Sequence, residues 1–166
     1  MPALLGDHGS TFSLERQVMH WFTPQDPRAL DSMPIFIRQA GDTVFYALPP
    51  VGLDTKVAVH HAGDPTTPET VQRVVLPDEV AAVRALLEQY VPAIAGTHRR
   101  AAVCLYTNAR TGHFVIDRHP AHGAVLVASA CSGFGFKFAS AIGEILADRL
   151  TDRTPSLDIT DFRMDP

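Results

Sequence analysis

The stretch from Ala124 to Leu150 places the tightest constraint on how this chain can fold. The apolar run from Ala124 to Ala130 has the length and composition of a buried strand. A turn that contains Gly133 and Gly135 follows, and a segment with helical apolar spacing then predicts a helix that runs to about Leu150. A strand, a glycine turn and a helix N-terminus in succession can hold an anionic or electron-rich ligand against backbone N–H groups.

Composition limits the class of protein. The chain has 166 residues, which is enough for one domain or two small ones, and its hydrophobic content of 46% supports a packed core. The net charge of −4 and the scattered basic residues exclude a nucleic-acid footprint. No apolar run approaches the length of a membrane span, and no signal peptide is visible. Two cysteines do not suggest a disulfide framework and favour a cytoplasmic protein, although a bridge between Cys104 and Cys131 stays open.

Four short segments in the first half are rich in bulky apolar residues and predict an antiparallel sheet. They are Gln17–Phe22, Ile35–Arg38, Thr43–Leu48 and Lys56–His61. The turn between the second and third segments, at residues 39–42, predicts a hairpin. Residues 1–11 are small and polar, and we expect them to be frayed.

The second half begins with the clearest helix. Residues 77–90 carry an apolar stripe at helical spacing, with proline and acidic residues at the start and Pro92 just beyond the end. After residue 98 the apolar residues form near-continuous runs, which predict strands at Ala101–Thr107 and His113–Ile116. Continuous runs are typical of strands that are covered on both faces, so the chain is expected to change character near residue 98.

Six stretches, in the same order and with the same spacing, resemble the monomeric sarcosine oxidase and N-methyltryptophan oxidase family. They are Leu14–Phe22, Phe45–Pro49, Lys56–His61, Ala102–Thr107, His113–Pro120 and Ala130–Lys137 with the helix that follows. The resemblance covers nearly all of this chain but less than half of a family member. Family members begin with a Gly-x-Gly-x-x-Gly turn that binds the ADP half of FAD, and no such turn occurs near Met1.

The resemblance implies an α+β fold that is a fragment of an α/β-derived protein. An antiparallel substrate-domain sheet would be followed by the closing strands and the C-terminal helix of an FAD-binding domain. Residues 1–98 would belong to the substrate-binding domain and residues 99–166 to the flavin-binding domain. The implied cofactor is FAD, and the implied reaction oxidises a small secondary amine to an imine while oxygen becomes hydrogen peroxide.

The resemblance also bears on partners. The missing part implies an N-terminal half on a separate chain, or self-association of this chain. An alternative from a different class is a catalytically inactive remnant that acts as an interaction or oligomerisation module, because exposed strand faces favour association.

Site residues follow from the same resemblance. Cys104 matches the cysteine that the family joins to the flavin ring through a thioether, and Tyr106 matches an active-site tyrosine; a small buried strand residue is the alternative for Cys104. Lys137 matches a lysine beneath the flavin, which could attract a substrate carboxylate or stabilise negative charge on oxygen. A lysine that reaches solvent from a helix start is the alternative. His60 matches a substrate-side histidine, and Tyr46 matches a tyrosine on the neighbouring strand.

The backbone of the glycine turn is the remaining element, since its N–H groups would bond a flavin carbonyl, although a tight turn alone also explains the glycines. Phe134 stands where the family usually has histidine, so the ring is kept and a titratable group is lost. The predicted catalytic residues are Lys137, His60, Tyr46 and Tyr106. The predicted cofactor-binding residues are Cys104, Ser132, Gly133, Phe134, Gly135 and Lys137. No set of histidines, cysteines and carboxylates has metal-ligand spacing.

Overall fold

The structure is a computed structural model that describes residues 2–52 and 54–164, and backbone contacts divide these into two compact units. The central unit contains residues 15–105, and the terminal unit combines residues 2–14 with residues 106–164. The predicted division into a substrate-binding domain at 1–98 and a flavin-binding domain at 99–166 stays a prediction, because compactness does not say which ligand a unit binds.

Among the residues described, the larger sheet has six strands. They are β1 (Phe12–Phe22), β2 (Phe36–Ala40), β3 (Thr43–Val51), β4 (Asp54–His60), β5 (Pro65–Thr66) and β6 (His98–Ala109). The order across the sheet is β2-β3-β4-β1-β5, and β6 also pairs with β1. The pairs β1–β4, β2–β3 and β3–β4 are antiparallel. The predicted α+β fold with an antiparallel sheet in the first half is therefore confirmed.

The predicted hairpin joins β2 and β3. Ala40 pairs with Thr43, so only Gly41 and Asp42 form the loop, and the strands extend further into the turn than the sequence suggested. Gly41 has a φ of 60°. A two-residue loop with glycine in this conformation at its first position suits the twist of the flanking strands.

One face of the sheet packs on the helix α2 (Pro77–Tyr90), whose bounds agree with the prediction. Pro77 occupies the first turn, and the Glu79 carboxylate accepts a hydrogen bond from the Leu76 N–H at 2.7 Å. The buried core between sheet and helix contains Phe22, Phe45, Ala47, Val57, Val83 and Leu87, with Leu30, Ile94 and Ala95 at its border. The opposite face of the sheet is thereby left for other contacts.

The terminal unit contains α1 (Pro2–Leu5), the two-stranded sheet of β7 (Val115–His119) and β8 (His122–Ser129), and the helix α3 (Ala139–Leu150). The expectation that residues 1–11 are frayed is wrong for its described part, since Leu5 is buried and the Thr11 oxygen accepts a hydrogen bond from the Arg110 N–H at 2.9 Å. Met1 lies outside the described residues. Tertiary contacts rather than local propensity order this segment.

The helix α3 ends at Leu150 as predicted but begins later than the sequence suggested. A single 3-10 turn, Phe136–Phe138, separates the glycine turn from Ala139, so Lys137 precedes the α-helix instead of lying inside it. The strand β7 is likewise displaced from the predicted 113–116. In the described part of the chain, no helix has the length and apolar character needed to cross a membrane.

Candidate functional site

The turn between β8 and α3 is fixed to the end of β6 by Ser132. The Ser132 N–H donates to the Thr107 oxygen at 2.9 Å, and its Oγ accepts from the Ala109 N–H at 3.3 Å. Ser132 is 3% exposed and has a φ of 52°, a left-handed conformation that is uncommon outside glycine. The side chain of Ser132 thus holds the turn in place, and its role in cofactor binding stays a prediction.

The two glycines of the turn have separate causes. Gly133 has a φ of 81°, where a side chain would strain the backbone. At Gly135 a Cβ atom would lie 1.5 Å from the Ala130 oxygen, so the close approach of two backbone segments excludes any side chain. The chain itself therefore requires Gly135, and a ligand is not needed to explain it.

The same turn presents unused hydrogen-bond donors. Within residues 2–52 and 54–164, the N–H groups of Gly133, Gly135 and Phe136 have no hydrogen-bond acceptor. No side chain caps the N-terminus of α3 at Phe138. Free N–H groups before a helix favour an electron-rich ligand. This donor set fits the carbonyl edge of a flavin ring.

Lys137 is exposed, but its ammonium does not extend into solvent. Its Nζ donates a hydrogen bond to the Phe134 oxygen at 3.0 Å. It also lies 5.4 Å from the centroid of the Phe134 ring and 4.9 Å from that of Phe138, within the range of cation–π attraction. A positive charge is therefore held at the glycine turn.

Phe134 belongs to an aromatic cluster that sequence reasoning did not find. Its ring stacks on the buried Phe114 at a centroid distance of 5.1 Å, and Phe114 also contacts Phe138 and Phe162. Phenylalanine at this position therefore exchanges a titratable group for packing against Phe114. Beside it, Phe136 is 96% exposed, and nothing in the sequence distinguished it from its neighbours.

In the central unit, Tyr46 and His60 lie on the same face of β3 and β4. Tyr46 pairs with Ala58, and His60 pairs with Val44, which makes the two predicted side chains diagonal neighbours. The alternate residues Phe45 and Val57 point to the core against α2. Both predicted residues thus lie on the half-exposed face, where a substrate could reach them.

His60 and His61 do not face opposite ways, although a strand through both residues would require it. The strand β4 ends at His60, and His61 has a φ of 52°. The two rings therefore meet, with centroids 4.2 Å apart. The Nδ1 of His61 is 2.8 Å from the Glu15 carboxylate, which fixes the second ring.

A cavity that the sequence did not predict opens on the Tyr46 and His60 face. It has a volume of about 250 Å³, and its lining consists of Trp21, Leu48, Pro49, Asp54, Lys56 and Arg100. Trp21 and Leu48 both pair with Lys56, which stands four residues before His60 on the same strand. The Arg100 guanidinium lies 3.6 Å from the centroid of the Trp21 ring. Strand alternation from His60 could have identified Lys56.

Cys104 is a free, half-buried thiol on β6, and its Sγ lies 3.8 Å from the Leu105 oxygen. Tyr106 is two residues further along the strand, so both side chains leave the same strand face. Cys131 is also a free thiol. Over the described ranges, no group of histidines, cysteines and carboxylates could hold a metal ion.

Two buried histidines lie on the α2 side of the sheet. The Nδ1 of His20 is 3.4 Å from the Nε2 of His98, and His20 is 1% exposed. Burial, followed by the neighbouring His98, lowers the pKa of His20 from 6.5 to about 4, against an opposing effect of Glu79. Burial and the charge of Arg84 also lower the pKa of His98. Both rings are therefore neutral at neutral pH and support the fold.

Comparison with known proteins gives relatives over most of this chain. A "Monomeric sarcosine oxidase" of Streptomyces avermitilis is 43% identical over 155 residues, which is 89% of this chain and 40% of that protein. An "N-methyl-L-tryptophan oxidase" of Salmonella arizonae is 32% identical over 90% of this chain and 41% of that protein. The chain thus spans about two fifths of the length of the curated relatives it matches.

Solved structures and a family model agree with these relatives. The structure of the fructosyl amine:oxygen oxidoreductase Amadoriase I from Aspergillus fumigatus superposes with a TM-score of 0.75 at 22% identity, over 97% of this chain and 40% of that one, which shows the shared fold. The family model described as FAD dependent oxidoreductase matches residues 4–149. Because that match takes in both units, the chain belongs to the FAD dependent oxidoreductase (DAO) family.

Proposed function

We propose that this chain supplies the C-terminal part of an oxidase that converts a secondary amine to an imine. Sarcosine, other N-methyl amino acids and cyclic imino acids are the substrate class. The amine gives up two electrons and two protons, molecular oxygen takes them to form hydrogen peroxide, and water then hydrolyses the imine. FAD, when bound, accepts the hydride of the amine and passes the electrons to oxygen.

The observation that carries this proposal is the glycine turn before α3. It combines the N–H groups of Gly133, Gly135 and Phe136, which lack acceptors in the described structure, with the ammonium of Lys137. Donors and a positive charge of this kind stabilise electron density on a ring carbonyl. The turn would hold the pyrimidine side of the flavin, and the Cys104 thiol would fix the ring through a thioether.

The substrate side is formed by side chains on the half-exposed faces of strands. Tyr46 and His60 lie together on β3 and β4, and Tyr106 lies on β6 two residues after Cys104. Their hydroxyl and imidazole groups can orient an amine by hydrogen bonds. The ammonium of Lys137 would attract the carboxylate of an amino acid substrate.

An N-terminal half on a separate chain would supply the pyrophosphate site, since the relatives are more than twice as long as the matched region. The proposal is tested by producing this chain together with the N-terminal part of the Streptomyces avermitilis relative and adding FAD. We expect peroxide from at least one of sarcosine, proline, pipecolate and N-methyltryptophan. A yellow complex that gives no peroxide with any of them would overturn the oxidase assignment. We expect the chain alone to bind FAD weakly.

A second candidate is an inactive module for interaction or self-association. The observation that favours it is the exposure of large apolar side chains, with Phe136 at 96% and Ile37 at 75%. Analytical ultracentrifugation of the purified chain separates the two proposals. Concentration-dependent association that Phe136→Ser or Ile37→Ser abolishes supports the module, and a monodisperse monomer contradicts it.

A further inference from the structure

A cavity of the terminal unit lies at the end of α3 that is remote from the glycine turn. Its volume is about 360 Å³, and its walls are formed by Arg149 of the last helical turn, residues 154–160 and Arg163. This volume is in the range of sites for small ligands. None of the residues assigned to the flavin or the amine lines it.

The charges around this cavity leave two arginines without a carboxylate. Arg153 is 3.0 Å from Asp148, and Arg118 is 3.4 Å from Asp152, so these nearby acids are already paired. Arg149 and Arg163 form no salt bridge with any residue that the structure describes. Their charges are therefore available to a ligand.

One carboxylate, that of Asp158, also lines the cavity, and it is engaged locally. Asp158 accepts hydrogen bonds from the Thr160 N–H at 2.9 Å and from the Thr160 hydroxyl. These bonds lower the pKa of Asp158, so it stays ionised at neutral pH. With two guanidiniums against one carboxylate, the cavity carries a net positive charge in a chain whose net charge is −4.

The buried part of Arg149 points to a missing acceptor. Its Nε is buried and has no hydrogen-bond partner, which is unusual for a buried donor. Helix C-termini usually repel anions through their free carbonyls. Here donors cover those carbonyls: Arg118 Nη2 bonds the Arg149 oxygen at 2.8 Å, and the Arg153 N–H bonds the Asp148 oxygen at 2.8 Å.

The wall opposite the helix is held in place before any ligand binds. The Ser156 hydroxyl donates to the Glu144 carboxylate at 3.2 Å, and Ile159 is buried with Phe114 and Ile145 in a hydrophobic cluster. A preformed wall reduces the entropy that binding costs.

We propose that this cavity binds the phosphate group of a small molecule, with Arg149 and Arg163 as its ligands. Two guanidiniums match the charge of a phosphate better than that of a single carboxylate, and each can form two parallel hydrogen bonds with the oxygens. The Thr154 hydroxyl lines the same cavity and offers a further donor. The proposal is independent of the oxidase assignment, because it needs neither flavin nor amine.

The test is a titration of the ¹⁵N-labelled chain with inorganic phosphate at constant ionic strength. We expect saturable amide shifts confined to residues 149–163, and we expect Arg149→Gln and Arg163→Gln each to weaken binding roughly tenfold. Arg163 is exposed, so its variant remains informative if Arg149→Gln fails to fold. Glycerol phosphate is titrated in parallel: tighter binding than inorganic phosphate identifies an organic phosphate, and equal binding identifies the free anion.

Arg153→Gln is the matched control, because Arg153 is paired with Asp148 and does not line the cavity. It should bind phosphate like the unmodified chain. The proposal is overturned if millimolar phosphate causes no saturable shift, if chloride causes the same shifts at equal ionic strength, or if Arg153→Gln weakens binding as much as Arg163→Gln.

Discussion

The ammonium of Lys137 donates a hydrogen bond to the main-chain oxygen of Phe134, 3.0 Å from Nζ. The bond turns the side chain back over the glycine turn, beside the free N–H groups that precede α3. Because Phe134 also stacks on Phe114, the carbonyl that binds Lys137 belongs to an ordered part of the turn. The position of the positive charge is thus set by packing within the terminal unit.

The first prediction concerns Lys137→Met in the reconstituted oxidase. It should slow the reaction with oxygen more than the oxidation of the amine, because the first electron transfer to oxygen creates an anion, whereas hydride transfer brings little net charge to the lysine. A charge about 4 Å away in a site of intermediate dielectric is worth on the order of 4 kcal/mol. Even a heavily discounted value changes a rate about tenfold. Stopped-flow measurement of the two half-reactions tests this.

Lys56→Met provides the comparison, because Lys56 lies on the sheet face of Tyr46 and His60 beside Arg100. We expect it to leave the ratio of the two half-reactions unchanged. If Lys56→Met slows the oxygen reaction while Lys137→Met slows only amine oxidation, the role at oxygen belongs to Lys56. Equal slowing of both half-reactions by Lys137→Met would indicate lost positioning of substrate or cofactor.

The second prediction concerns the two glycines at the start and middle of the α3 region. Gly135→Ala should destabilise the chain by more than about 3 kcal/mol, because its Cβ would lie 1.5 Å from the Ala130 oxygen. Gly143 lies within α3, and a Cβ there meets nothing within 4 Å. Gly143→Ala should therefore stabilise the chain by about 0.5–1 kcal/mol. Urea unfolding of both variants measures the difference, and similar stabilities would show that the turn relaxes.

The elements that the sequence predicted well are those with several local signals that agree. Pro77, the acids after it, the apolar stripe and Pro92 all define α2, and its bounds match the prediction. The start of α3 was missed because the positive φ of Ser132 and the contact of Gly135 with Ala130 delay the helix, and neither is visible in the sequence.

The candidate site shows the same division. The glycines marked the turn before α3, and strand spacing placed Tyr46 and His60 on neighbouring strands. The stacking of Phe134 on Phe114 joins residues far apart in sequence, and the ring contact of His60 with His61 depends on a positive φ at a non-glycine residue. Contacts of this kind are set by tertiary structure and have no local signature.

The third prediction is a loss of stability in mild acid. In the folded chain the pKa of His20 is lowered to about 4, below its ordinary 6.5, so the unfolded chain binds the proton more readily. The stabilisation is complete above pH 6.5 and decreases as the pH falls toward 4, by about 2–3 kcal/mol in total. The lowered pKa of His98 acts in the same direction. Urea midpoints measured between neutral pH and pH 4 should show this slope.

His20→Gln should flatten this pH dependence, because glutamine does not titrate. His113→Gln is the control, since His113 is an exposed histidine of the terminal unit, and it should leave the slope unchanged. A slope that persists in His20→Gln and disappears in another histidine variant would transfer the effect to that residue.

The last prediction concerns the attachment of the cofactor. Cys104 is a half-buried free thiol, and strand geometry places it on the same face as Tyr106. In the complex of this chain with an N-terminal half, we expect the flavin to stay with the protein after acid precipitation, because a thioether survives denaturation and hydrogen bonds do not. Cys104→Ser should release the flavin into the supernatant, since a hydroxyl is a far weaker nucleophile than a thiol. Cys131→Ser, which removes the other free thiol, should retain it. Absorbance of the pellet and supernatant measures both results. Flavin that is released from the unmodified complex would show noncovalent binding, and flavin retained by Cys104→Ser but lost from Cys131→Ser would assign the bond to Cys131.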